Sequence, residues 1–138
     1  MEVEIKQLND NLHFEAANSD GNTVQMDGGP AVGGEGKGMR PMELLLTAVA
    51  SCSAFDVVSI LKKQREPLEN LTISAKADRA EEGDAKPFTS MHFIFKMKGA
   101  VNQAKADRAV KLSVEKYCSV GATLDPNIPI TYEAVIEA

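Results

Sequence analysis

The sequence predicts an α+β fold built on antiparallel sheet, with elements in the order βββ-α-ββ-α-β. Three observations carry this. Short runs at both ends of the chain alternate polar and apolar residues, as half-buried strands do. One segment, 41–61, is apolar at three- and four-residue spacing and far too long for a strand. The strand-like runs are separated by clusters of Asn, Asp, Ser and Gly rather than by regular βα alternation.

In chain order, residues 2–8 alternate and read as the first strand, closed by the turn Asn9-Asp10-Asn11. Residues 12–16 and 23–27 give two more strands around a turn at 18–22, so the chain opens on an antiparallel meander. Residues 28–38 hold Gly28, Gly29, Gly33, Gly34, Gly36 and Gly38, six of the 10 glycines. Their spacing fits neither the Walker pattern nor the dinucleotide fingerprint, and a flexible connector is the better reading. Pro41 suits the first position of a helix, where its missing N–H costs nothing. The helix that follows is apolar nearly all round, which predicts a central, buried element. Lys62, Lys63 and Arg65 complement its C-terminus before Pro67 ends it. Strands are expected at 68–77 and 88–98 around a charged turn at 81–86. In the second, Met91, Phe93, Phe95 and Met97 alternate with His92, Ile94, Lys96 and Lys98. Asn102 can cap a second helix that runs toward Cys118, Gly121 interrupts it, and 128–136 closes the chain as a strand.

A chain of 138 residues is the size of a single domain, expected to span 1–138, with about two-thirds of its unfolded surface buried. With no Trp and 5% aromatics the core must be aliphatic. The formal charge of −5 and the absence of a Lys/Arg run argue against nucleic acid as a partner. Charges at alternate positions near Met1 do not fit a signal peptide, so a reducing cytoplasm is expected, where a static disulfide is rare. Segment 41–61 is long enough to span a membrane, but Glu43, Asp56 and several Ser and Thr favour a soluble core helix.

The chemistry rests on the chain's 2 cysteines, Cys52 in the long helix and Cys118 at the end of the second. The residues alone leave open two inert core thiols, a structural disulfide or a redox couple, and the frequency of buried cysteine leans to the first. A working thiol must be activated, because only the thiolate is nucleophilic. Asp56, one turn after Cys52, would oppose a thiolate, so a cation is required; Arg40, Lys37, Arg65 and a partner chain are the candidates. Glu43 lies nine residues before Cys52, about two and a half turns away. Two roles stand side by side for it, assistance at the thiol and stabilisation of the helix N-terminus. His13 and His92 stand in strands without metal-ligand spacing, so no metal and no cofactor is expected, and no Ser/His/Asp set is present.

At 40–63 (Arg40-Pro-Met-Glu through Ser-Cys52-Ser-Ala-Phe-Asp to Lys63) and at Glu115-Lys-Tyr-Cys118-Ser-Val the sequence resembles the OsmC/Ohr family, and within it the YhfA-like branch. The resemblance covers nearly the whole chain in element order. It implies an intertwined homodimer with antiparallel sheets wrapped around central long helices, and thiol-dependent reduction of organic hydroperoxides in oxidative-stress defence. By resemblance Cys52 is the peroxidatic thiol and Cys118 the resolving one, a dithiol reductant closes the cycle, and an Arg and a Glu assist. In the best-studied branches that Glu directly follows the Pro; here Met42 holds the slot and Glu43 comes next. The assisting Arg comes there from the N-terminal region, whereas residues 1–39 contain no Arg and Arg40 or Lys37 is the nearest substitute. The alternative is a non-catalytic dimer of the same fold that binds a small apolar ligand, or one that senses rather than turns over peroxide.

Overall fold

The computed structural model describes residues 1–137 and contains two compact units, one of residues 1–45 and one that begins at Leu46. The expected order holds for the six strands and the two longer helices. In the first unit β1 (Val3–Gln7), β2 (Phe14–Asn18) and β3 (Thr23–Met26) form an antiparallel sheet in the order β1-β2-β3. Register runs from Val3 opposite Asn18 to Gln7 opposite Phe14, and from Phe14 opposite Met26 to Ala17 opposite Thr23. Asn9 makes the first turn, its side chain accepting from the backbone N–H of Asn11 at 3.0 Å and of His13 at 3.2 Å.

The Gly-rich segment is not a loose connector. Asp27, buried at the end of β3, accepts the backbone N–H of Gly28 at 2.7 Å and of Lys37 at 3.1 Å. Burial pushes its carboxyl pKa up, but the N–H groups of Lys37, Gly28 and Glu35 outweigh it and hold the group below the usual carboxylate range. The concavity a phosphate loop would offer to a ligand is thus filled by the chain's own carboxylate. Gly34 is required where the loop doubles back, since a Cβ there would meet the Gly28 carbonyl. The chain then rejoins β3, Asp27 donating to Met39 O and Met39 to Gln25 O, both at 3.2 Å.

Helix α1 (Pro41–Lys63) starts at the expected proline and runs 23 residues. The expectation of burial all round is corrected. Only one stripe is buried, Val49, Ser53, Val57 and Leu61 at four-residue spacing with Ala50 beside them; Phe55 is 75% and Val58 44% exposed. The helix is long and apolar enough to cross a membrane by length and composition, which is weak ground for a membrane reading in a single core helix. It closes in a reciprocal C-terminal pair of hydrogen bonds, Arg65 N–H to Lys62 O and Glu66 N–H to Leu61 O, both at 3.0 Å. That geometry puts Arg65 at φ 57°, a left-handed position usually held by glycine.

The second sheet contains β4 (Asn70–Arg79), β5 (Phe88–Lys98) and β6 (Ile130–Glu137) in the order β4-β5-β6. β4 and β5 pair antiparallel through the charged turn. The pair β5–β6 is parallel, which corrects the expectation of antiparallel sheet throughout. The reason is the connection: a helix lies between the two strands, and a crossover returns the chain to the end at which β5 began. Phe88, Met91, Phe93, Phe95 and Met97 of β5 form the core's spine, which corrects the expectation of an aliphatic core, because the few aromatics are concentrated on this one buried face. Helix α2 (Gln103–Leu112) carries Ala106, Ala109 and Val110 into that core and packs on β6. Its cap is the expected one, Asn102 Oδ1 accepting from Lys105 N–H at 3.0 Å. After α2 the backbone widens into one π-type turn, Ser113–Tyr117, and a short helix α3 (Ser119–Thr123) follows; neither was foreseen.

Candidate functional site

The second unit brings the two cysteines face to face. Val49 and Ser53 belong to the buried stripe of α1, with Cys52 half-buried at its edge. Cys118 is 5% exposed and stands between the wide turn and α3, in extended backbone at φ −70°, ψ 101°. Its thiol donates to the Val49 carbonyl at 3.7 Å, a contact that ties the C-terminal segment to α1. Its sulfur also accepts the backbone N–H of Gly121 at 3.2 Å, so that Cys118 caps α3. Both cysteines are free thiols.

Burial is the largest influence on the Cys118 thiol and pushes its pKa up. The neighbouring Cys52 and the charge of its thiolate act in the same direction, while the Gly121 N–H and the Ser53 hydroxyl pull the other way. The net effect is upward, so Cys118 rests as a thiol. The two thiols thus differ in setting, Cys52 half-exposed and Cys118 buried and protonated.

Of the remaining residues, Lys37, Arg40, Glu43 and His13 lie in the first unit, and Arg65 and His92 in the second. Glu43 Oε1 accepts the backbone N–H of Arg40 at 2.9 Å, the reaching-back half of a capping box with Arg40 as N-cap. The Arg40 guanidinium donates to Gly38 O at 3.3 Å and lies against Gly29, where a Cβ would come 2.6 Å from its Nη2. Lys37 pairs with Glu35 at 2.8 Å, and that hydrogen bond raises its pKa. In strands, His13 meets Gln25 at 2.8 Å, and His92 meets Thr131 at 2.7 Å and Glu133 at 3.5 Å.

Sequence reasoning missed Ser53 and Gly121 as parts of the thiol's surroundings. The four-residue stripe Val49-Ser53-Val57-Leu61 was a signal for the first, since a hydroxyl among aliphatic positions calls for a partner. For Gly121 there was only its position three residues after Cys118. Each unit also has a hollow of its own. One, of about 700 Å³, lies in the second unit and is lined by Ala54, Phe55, Val58, Ser59, Leu68 and Leu71. The other, of about 630 Å³, lies in the first unit and is lined by Ile5, Leu12, Phe14, Val24, Met26 and Leu44.

Comparison with known proteins follows this geometry. The family model described as OsmC-like protein matches residues 34–133. Protein YhfA of Escherichia coli strain K12 is 36% identical over 138 residues, covering 98% of each chain. A hypothetical protein from Aquifex aeolicus VF5 is 36% identical, with a TM-score of 0.81 over 99% of this chain and 97% of that one. An organic hydroperoxide resistance protein OsmC from Legionella pneumophila, described as a predicted redox protein, shares the fold at 15% identity. Its TM-score is 0.70 over 98% of this chain and 97% of its own.

Proposed function

From the premise that this chain belongs to the family of OsmC-like proteins, we propose that it reduces organic hydroperoxides with Cys52 and Cys118 as its redox couple. The observation that carries this reading is the meeting of the chain's 2 cysteines, remote in sequence, with Cys118 held by Gly121 and Val49. The Cys52 thiolate attacks the distal oxygen of the hydroperoxide. The O–O bond breaks, the alkoxide takes up the proton Cys52 gave off and leaves as an alcohol, and Cys52 becomes a sulfenic acid. The Cys118 thiolate then attacks that sulfur; the S–S bond forms, the S–O bond breaks, and the hydroxide takes up the proton Cys118 gave off and leaves as water. A dithiol reductant reopens the disulfide by exchange.

Glu43 and Arg40 are proposed to assist Cys52, and the two units to work as one domain in a reducing cytoplasm. The exposed Phe55 and Val58 of α1 and the hollow beside them support a homodimer in which a second copy covers that flank. Replacing Cys52 by Ser abolishes hydroperoxide consumption with a dithiol reductant; unchanged turnover would sink the reading. One observation favours a second reading, the apolar hollow of the first unit, which suits a small apolar ligand in a protein whose thiols are inert. That reading predicts no disulfide after mild peroxide, and intact mass after alkylation separates the two.

A further inference from the structure

Ser53 is fully buried, and its hydroxyl has no hydrogen-bond partner. Such a group is rare in a folded core and needs a reason. A helical serine ordinarily returns its hydroxyl to the carbonyl four residues back, here that of Val49. That carbonyl instead accepts the Cys118 thiol at 3.7 Å. The hydroxyl is left close enough to Cys118 to favour its charged form, beside the Gly121 N–H that already reaches the sulfur at 3.2 Å.

We propose that Ser53 and the Gly121 amide form a two-donor pocket for the Cys118 thiolate, with Ser53 the positioning residue whose hydroxyl finds its partner only when Cys118 loses its proton. The inference rests on the redox reading above and deepens it, assigning a residue to the second step. In the resting state Cys118 donates to Val49, burial keeps it protonated, and Ser53 waits unpaired. Once Cys52 is a sulfenic acid, its negative charge no longer opposes a Cys118 thiolate, and the two donors offset the burial that still does. The Ser53 O–H and Gly121 N–H then hold the thiolate toward Cys52 until the S–S bond forms and the S–O bond breaks, hydroxide departing as water. The other charged side chains nearby act elsewhere or do not shift the thiol. Glu115 accepts from Tyr132 at 2.7 Å, Lys116 lies over the Tyr117 ring at 5.4 Å, and Asp56 is one turn beyond Cys52. Cys52 is the titratable group that shifts Cys118.

Two measurements test this. In a Cys52→Ala background, Cys118 is titrated by its ultraviolet thiolate absorbance, with and without Ser53→Ala. Loss of the hydroxyl raises the midpoint by about one pH unit, the size expected for a hydrogen bond to a charged group, and Ser53→Thr restores it. In the two-cysteine protein, rapid quenching after cumene hydroperoxide shows Cys52 sulfenic acid forming at the parent rate in Ser53→Ala. The following disulfide step slows by about threefold at neutral pH, because a tenfold loss of thiolate is partly offset by its greater nucleophilicity. An unchanged midpoint overturns the pocket. A two-cysteine protein that never reacts with the hydroperoxide overturns the redox reading instead, and the thiolate titration still decides the role of Ser53.

Discussion

Cys118 concentrates what the structure adds at the scale of single residues. Burial raises its pKa, so the folded state prefers the neutral thiol. The sign follows from linkage. A raised folded pKa contributes stability that is complete below the unfolded value and lost as pH rises through the folded one. Tyr132, pushed up to about 12 by burial and by the Glu115 carboxylate that its hydroxyl faces, acts in the same direction. The reduced protein is therefore expected to lose stability as pH climbs above the ordinary thiol value of 9.0, and Cys118→Ser to flatten the first part of that decline. Denaturant unfolding at a series of alkaline pH values checks this, and parallel curves for the two proteins contradict it. Cys118→Ser should also leave oxidised Cys52 without a partner, so that excess hydroperoxide drives it to sulfinic acid, read as a mass gain of two oxygens. The two thiols and the cap at Asn102 were legible in the sequence because they depend on residue type and local spacing. The meeting of Cys52 with Cys118 was legible only through family resemblance, since it depends on a long-range crossover.

Elements defined by local pattern stand within about two residues of where the pattern puts them, β2 and β4 being the displaced ones. Strand β5 spans Phe88–Lys98, the expected 88–98, because one face of it is buried and the alternation is strict. What the sequence could not reveal is direction and exposure. The parallel pairing of β5 with β6 follows from a crossover, and the exposed flank of α1 is apolar yet uncovered within one chain. The Gly-rich segment was misread because its organiser, Asp27, lies at a strand end and reaches forward to Lys37. Asp27→Asn should loosen residues 28–38, replacing an acceptor oxygen with a donor against two N–H groups. Faster proteolysis there than in the parent is the expected result, and equal protection would contradict it. At the end of α1 the left-handed Arg65 invites the opposite change. Arg65→Gly keeps the C-terminal hydrogen bonds and relieves the conformation, a gain of about 0.5–1 kcal/mol after the greater freedom of glycine in the unfolded chain is set against it. Thermal unfolding checks it, and a lower midpoint would show that the Arg65 side chain contributes more than its backbone costs.

For the whole molecule, the proposed homodimer draws on the family assignment and on the exposed Phe55 and Val58 of α1. Phe55→Glu places a charge in the middle of that stripe and is expected to shift the protein from twice 14.8 kDa to a single copy in sedimentation. A parent protein already sedimenting as one copy would leave the stripe to another partner. The central claim is narrower than assembly: two thiols far apart in sequence exchange electrons with a hydroperoxide. Its most direct test is to treat the reduced protein with one equivalent of cumene hydroperoxide, alkylate, digest without reductant, and measure peptide masses. The account predicts a Cys52–Cys118 linked peptide that forms within the reaction and vanishes on adding a dithiol. Two separately alkylated cysteines after peroxide would contradict it.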